Sequence, residues 1–219
     1  MKTTVLRAVL WDMDGVLVDS AEYHFDAWRR ALQLEGSDMS EAAFRSTFGQ
    51  RNDTVLRGLF GPDYSDADVA RVGAVKEAFY RDVVAEKGID ALPGVLRWLT
   101  ALHTAGWRQA VASAAPRDNV HAILDELSIG GFFSAITSAE DVTRGKPDPQ
   151  VYLTAALRVN VLPNRCIVIE DAPAGVEGAK RAHMRSIGVL TSHKALEADV
   201  VVSRLTELSD DTFERLLPA

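Results

Sequence analysis

A single cysteine, Cys166, stands among the 219 residues, so no disulfide can form within the chain and nothing points to an oxidising compartment. Long apolar runs are missing too. No stretch approaches the ~20 consecutive apolar residues that a membrane-spanning helix requires. The start, Met1-Lys2-Thr3-Thr4-Val5-Leu6-Arg7, has no extended apolar segment of the kind that targets a chain for export. Nor is positive charge in excess: 24 Lys and Arg face 31 Asp and Glu, for a formal net charge of -7. Phosphate backbones and anionic membranes select for basic patches, so nucleic acid and membrane are not expected as partners. The expected location is the cytoplasm. A small phosphorylated ligand stays open, because one local site can be positive within a negative whole.

What is present suits a folded domain. Hydrophobic residues make up 47% and charged residues 25%, the ordinary mix of a soluble globular chain. Short apolar runs recur, each ending where polar residues begin: Val5 to Trp11, Gln109 to Ala112, Ile136, Ile167 to Ile169, Ser186 to Leu190, and Val200 to Val202. Continuous rather than alternating runs suit strands buried on both faces, as in a parallel sheet. Helical patterns lie between them at Pro93 to Thr104, Arg117 to Leu127, Gln150 to Val159 and Gly175 to Ala182. Pro93 and Pro173 stand near helix starts, and Gly106 and Gly188 fall where those helices should stop. The alternation predicts a doubly wound, Rossmann-like α/β fold with ligands at the carboxyl ends of the strands.

One segment departs from the alternation. Between about Ser20 and Gly88 the periodicity is helical throughout: Ala27, Trp28, Ala31 and Leu32, then Val55, Leu56 and Leu59, then Val69, Val72, Val75, Phe79 and Val83. Asp66 is a candidate cap for the last of these helices. The reading is a core of residues 1–19 and 89–219 with a small all-helical cap domain, 20–88, inserted after the first strand.

The chemistry concentrates at strand ends. Asp12-Met13-Asp14-Gly15 follows the first apolar run. Two carboxylates two residues apart can divide labour, one attacking phosphorus and the other moving a proton. Asp-x-Asp-Gly also opens a calcium loop, but Val16 and Leu17 stand where that loop needs oxygen ligands and no closing Glu follows. Ser113 and the backbone N–H groups after it, from Ala114 onward, form a candidate phosphate site, although Ser at a strand end is commonly a turn residue. Lys146, in Gly145-Lys146-Pro147, would neutralise phosphoryl charge or stand as a solvated loop residue. Glu170-Asp171 closes a buried strand, where adjacent acids call for a cation such as Mg²⁺; an acidic helix start is the alternative for Asp171. Cys166, beside Ile167, Val168 and Ile169, reads as an inert core thiol.

Together these four motifs resemble the haloacid dehalogenase-like superfamily of Mg²⁺-dependent phosphoryl-transfer enzymes, along essentially the whole chain. The resemblance implies Asp12 as nucleophile and metal ligand, and Asp14 as general acid/base with its carbonyl also on the metal. It implies Ser113, Ala114 and Lys146 as phosphate binders, and Asp171 with Glu170 as further metal ligands. Carbon–halogen cleavage is disfavoured, because the dehalogenases lack a counterpart of Asp14. Within the superfamily, Ser20 to Trp28 resembles the cap entry of the β-phosphoglucomutase and sugar-phosphatase group. This implies that His24 lies near Asp14, the alternative being a hinge residue bonded to a backbone carbonyl, and that Trp28 is cap core or near the site. Phe48-Gly49-Gln50-Arg51 resembles the group's cap recognition loop, which implies substrate contacts at Gly49 and Arg51; the alternative for Arg51 is a pair with Asp53. Phe48 stands where the mutase has a lysine, and Ser113-Ala114-Ala115-Pro116 departs from its Ser-Ala-Ser-Lys.

The expectation is therefore a Mg²⁺-dependent phosphatase of a small phosphorylated metabolite, a sugar phosphate foremost, working through an aspartyl phosphate. A phosphosugar mutase sharing that intermediate is the alternative. A receiver-like signalling domain or a non-enzymatic sensor ranks below both, since receivers are shorter and carry no helical insert. The sequence leaves oligomeric state open, a monomer included, and the other histidines, His103, His121, His183 and His193, read as surface or helix-end residues.

Overall fold

The computed structural model describes residues 6–48 and 50–217. The sequence-predicted contacts of Gly49 and the Val5 start of the first run lie outside them. The chain divides into two compact units, Ser20–Ile89 and the remainder.

The larger unit is built on six parallel strands: β1 (Ala8–Trp11), β2 (Arg108–Ala112), β3 (Ala135–Thr137), β4 (Cys166–Glu170), β5 (Arg185–Val189) and β6 (Val200–Val202). Their order is β3-β2-β1-β4-β5-β6. From β1 the chain winds outward through β2 and β3, then returns to β4 on the other side of β1 and winds the opposite way. The fold is the α/β, Rossmann-like one that the apolar runs predicted. Its topological switch point lies between β1 and β4, where ligands of such sheets bind. In register, Trp11 is level with Val111 on one side and Ile169 on the other. One step further brings Asp12 level with Glu170, and the Asp12 N–H donates to the Ile169 carbonyl at 3.1 Å.

Side-chain alternation explains why β1 is apolar at every position. Ala8 and Leu10 face one layer with Ala110, Ala112, Cys166 and Val168, covered by α7 (Gln150–Arg158) through Val151, Tyr152, Ala155 and Ala156, and by α8 (Pro173–Arg181) through Ala179. Trp11 faces the other layer, where its indole N–H donates to Gln109 Oε1 at 3.1 Å. Gln109 Nε2 in turn donates to the Leu99 carbonyl of α5 (Val95–Thr104) at 3.0 Å. A glutamine in a buried strand is thereby satisfied at both ends. Cys166 is fully buried, and that burial pushes its thiol up to about 12, which keeps it protonated and unreactive.

The smaller unit holds four helices among its described residues and no strand: α1 (Ala21–Leu34), α2 (Glu41–Thr47), α3 (Asn52–Phe60) and α4 (Asp66–Lys87). Trp28, Leu32, Met39, Phe44, Val55, Leu56 and Val72 form its core. The long helix α4 corrects two expectations. Its N-cap is Ser65, whose hydroxyl accepts from the Asp68 N–H at 3.1 Å. Asp66 is the first helical residue and pairs with Arg57 instead. The buried face of α4 runs through Val72, Gly73, Lys76, Glu77, Tyr80, Val83 and Val84, while Val75 and Phe79 are half-buried. Two charged residues can occupy that face because they pair with each other at 2.9 Å. A third correction concerns Gly188, which lies inside β5 rather than at a helix end. A Cβ there would come within 2.9 Å of Leu196 Cδ1, so the glycine serves packing, and the left-handed residue after α8 is His183.

Candidate active site

The loop after β1 is tight. The Met13 carbonyl accepts from the N–H groups of Val16, Leu17 and Val18, and the Gly15 N–H donates to the Val18 carbonyl at 2.7 Å. Gly15 is required here on two counts. Its φ is +78°, and a Cβ would lie 1.9 Å from Asp171 Oδ2. The backbone of the first motif therefore lies directly against a carboxylate of the last.

Asp12, Glu170 and Asp171 are all buried and offer oxygen atoms that lie within 4.8 Å of one another. Lys146 Nζ donates to Asp12 Oδ1 at 2.8 Å and to Glu170 Oε1. Glu170 is held on every side. Tyr152 donates to its Oε1 at 2.7 Å, and the Asp171 and Ala172 N–H groups donate to its Oε2 at 3.0 and 3.1 Å. That close seat needs Gly175 in the first turn of α8, where a Cβ would fall 1.9 Å from the Glu170 carboxyl carbon. The loop carrying Lys146 is fixed by Gln150, whose Oε1 accepts from the Thr143 and Arg144 N–H groups at 2.9 and 3.1 Å.

Three carboxylates against one ammonium leave the site short of positive charge. Burial, then the charge of Glu170, raises Asp12 well above the ordinary carboxylate range against the pull of Lys146. The same two causes push Asp171 up to about 7, opposed by Ser192 and Lys146. For Lys146 burial favours the neutral amine, but Asp12 and Glu170 outweigh it and hold the ammonium protonated. Burial and Glu170 raise the Tyr152 phenol, which stays a donor. Hard oxygen donors so clustered and undercompensated fit a divalent cation.

Asp14 sits two residues beyond Asp12, half-buried, and its charge adds to the upward pressure on Asp171. It is not a member of the three-residue donor cluster. Ser113 is buried at the end of β2, next to β1. Its N–H donates to the Thr137 carbonyl, and its Oγ accepts from the Ala115 N–H, both at 3.0 Å. Ala114 between them is exposed. The following helix, α6 (Arg117–Glu126), begins at Arg117 as the helical pattern predicts, and Glu140 accepts the Arg117 N–H at its entry.

In the helical unit, His24 stacks on Tyr80 with ring centroids 4.1 Å apart, and its Nδ1 lies 2.9 Å from Lys76 Nζ. Lys76 bonds Glu77 Oε1, which also accepts from Asn52 Nδ2 at 2.8 Å. Trp28 is buried in that unit's core, with Lys76 5.4 Å above its ring. Arg51 is exposed and pairs with Asp53 at 3.4 Å, the alternative that the sequence left open.

Sequence reasoning missed Tyr152, the Lys76–Glu77 pair, and the segment after β5. In that segment His193 Nδ1 meets the Asp171 carbonyl at 3.1 Å and Ser192 bonds the Asp171 carboxylate. Gly175, four residues after Asp171, was the local signal of close backbone approach to Glu170.

Residues 6–183 match the family model for haloacid dehalogenase-like hydrolases. The β-phosphoglucomutase of Bacillus subtilis is 34% identical over 212 residues, covering 93% of this chain and 92% of that protein. The validoxylamine A 7'-phosphate phosphatase of Streptomyces hygroscopicus is 33% identical, covering 92% and 95%. The crystal structure of a β-phosphoglucomutase from Clostridium difficile superposes with a TM-score of 0.83 at 28% identity over 97% of each chain.

Proposed function

The chain belongs to the haloacid dehalogenase-like hydrolase family, and on that premise we propose that it is a Mg²⁺-dependent phosphatase of small phosphorylated metabolites, sugar phosphates foremost. The observation that carries the reading is Lys146 bridging Asp12 and Glu170, beside Asp171, at the carboxyl ends of β1 and β4. Asp12, Glu170 and Asp171, with the Asp14 backbone carbonyl, would hold the metal. Bound there, Mg²⁺ would offset the charge of the carboxylates and of the transferring phosphoryl group.

Asp12 attacks phosphorus through a carboxylate oxygen as the bond to the ester oxygen breaks, and Asp14 gives its proton to the leaving alcohol. Asp14 then takes a proton from water, whose oxygen attacks the same phosphorus. Inorganic phosphate leaves and the Asp12 carboxylate is restored. Lys146 uses two of its three hydrogens on Asp12 and Glu170, so one remains for a phosphate oxygen. Ser113 and the Ala114 N–H bind the others. The unit Ser20–Ile89 is the cap, in which His24, Gly49 and Arg51 select the substrate and Trp28 supports them.

One feature of the cap favours water over a sugar hydroxyl as acceptor: Phe48 stands where the mutase's recognition loop has a cation. The relatives named β-phosphoglucomutase support the mutase as the second reading, since both reactions share the aspartyl phosphate. Incubation with β-glucose 1-phosphate and a trace of the bisphosphate separates them. Release of inorganic phosphate supports the phosphatase, and rapid formation of glucose 6-phosphate overturns it. No helix among the described residues is long and apolar enough to cross a membrane. We place the protein in the cytoplasm, a reading that the lone buried Cys166 supports.

A further inference from the structure

Tyr152 is the one fully buried side chain of α7 that reaches the acidic cluster with a polar atom. Its ring belongs to the core layer beneath β1 and β4, among Ala110, Ala112, Val168 and Ala179. It packs closely on α8 at Gly178, where a Cβ would come within 3.0 Å of Tyr152 Cε2. A fully buried ring packed this closely has little room to move, which holds its hydroxyl in place. That hydroxyl donates at 2.7 Å to Glu170 Oε1, the same oxygen that Lys146 bonds.

The shared oxygen matters because Lys146 stands between two carboxylates, Asp12 and Glu170. An ammonium drawn wholly to Glu170 would leave Asp12, and any phosphoryl group on it, without its lysine partner. A second donor on Oε1 takes part of the Glu170 charge and lowers its hold on Lys146. The Tyr152 ring also lies 5.4 Å below Nζ and sets a floor to its movement.

We propose that Tyr152 is a positioning residue for phosphoryl transfer: its hydroxyl pins Glu170 Oε1 and so keeps Lys146 on Asp12 and available to phosphate. The proposal rests on the phosphatase reading for its consequence, while the placement of Lys146 stands by itself. Phosphoryl transfer in this chain then depends on a hydroxyl that a phenylalanine, equal in its packing, would lack.

The test is Tyr152→Phe, which keeps the ring and removes only the donor. A crystal structure of Tyr152→Phe should have Lys146 Nζ shifted from Asp12 toward Glu170. Calorimetric titration of the Mg²⁺-loaded protein with inorganic phosphate should give a dissociation constant about tenfold weaker than wild type, the scale of one hydrogen bond to a charged group. The thermal midpoint should stay within a few degrees of wild type. In a Lys146→Met background, adding Tyr152→Phe should cost nothing more, because the path runs through Lys146. An unmoved Lys146 with unchanged phosphate affinity overturns the proposal, as does an equal loss in both backgrounds. If the wild-type protein neither binds phosphate nor hydrolyses p-nitrophenyl phosphate, the phosphatase reading fails, and the position of Lys146 in Tyr152→Phe still decides the role of Tyr152.

Discussion

Gly15→Ala should damage metal binding far more than it damages folding, and a second glycine allows the two effects to be separated. Residues 15 and 106 both have φ +78°. A Cβ at Gly106 meets nothing within 4 Å, whereas one at Gly15 would lie 1.9 Å from Asp171 Oδ2 and 2.3 Å from its Cγ. Alanine at either position carries the left-handed backbone penalty of roughly 1–2 kcal/mol. For a chain of this length that lowers the thermal midpoint by about 2–8 °C. At residue 15 the Asp171 carboxylate must also swing away, because overlap at 1.9 Å cannot be absorbed in place. Losing one carboxylate of three should weaken Mg²⁺ by at least the ~10–100-fold that changes behind the ligands already cost. Calorimetric Mg²⁺ titrations of the two variants, with thermal melts of both, make the comparison. Equal Mg²⁺ affinity in Gly15→Ala and Gly106→Ala would refute the contact between the first and last motifs.

Two further outcomes follow from the charges. Burial alone would raise Glu77, but Lys76, His24 and Asn52 outweigh it and hold the carboxyl below its ordinary value. A carboxyl more acidic in the folded state stabilises fully above its unfolded pKa, and that stability is lost as the pH falls through the folded value. Glu77→Gln should therefore cost about 3 kcal/mol in urea unfolding near neutral pH and progressively less as the pH falls below the ordinary carboxyl value of about 4.3; a gap that widens in acid would contradict the pair. At the active site, with Asp12 raised and Asp171 pushed up to about 7, protons compete with metal. Mg²⁺ affinity should fall as the pH drops below neutral, and binding near pH 6 should release protons, read by calorimetry in buffers of different ionisation enthalpy; binding without proton release would count against the site.

The strands β1, β2, β4 and β5 were legible because burial on both faces leaves no polar alternation to confuse. Their starts were less so, since Arg108 and Arg185 open β2 and β5 with exposed charged side chains that apolar runs exclude. Gly188 misled because a packing glycine and a helix-stop glycine look alike without knowledge of Leu196. The acids and the lysine were legible one motif at a time, each standing where an apolar run ends. Tyr152 was not, because an aromatic at helical spacing reads as core, and its acceptor lies 18 residues away on β4. Lys76 and Glu77 were hidden for a related reason. Adjacent charges on a helix read as solvated, and only the fold reveals that Asn52 and His24 help to enclose them. The cap of α4 was misplaced by a single position, Asp66 being read where Ser65 caps, the ordinary margin when two capping residues stand side by side.

The central claim is that Asp12 carries the phosphoryl group, and it can be read from the protein itself. Acid-quenching the enzyme during turnover of p-nitrophenyl phosphate, reducing it with borohydride and sequencing the peptides by mass spectrometry should find homoserine at position 12, the product of an aspartyl phosphate. Asp12→Asn, folded like wild type, should yield neither homoserine nor phosphate release. Homoserine at another aspartate, or full turnover by Asp12→Asn, would contradict the account.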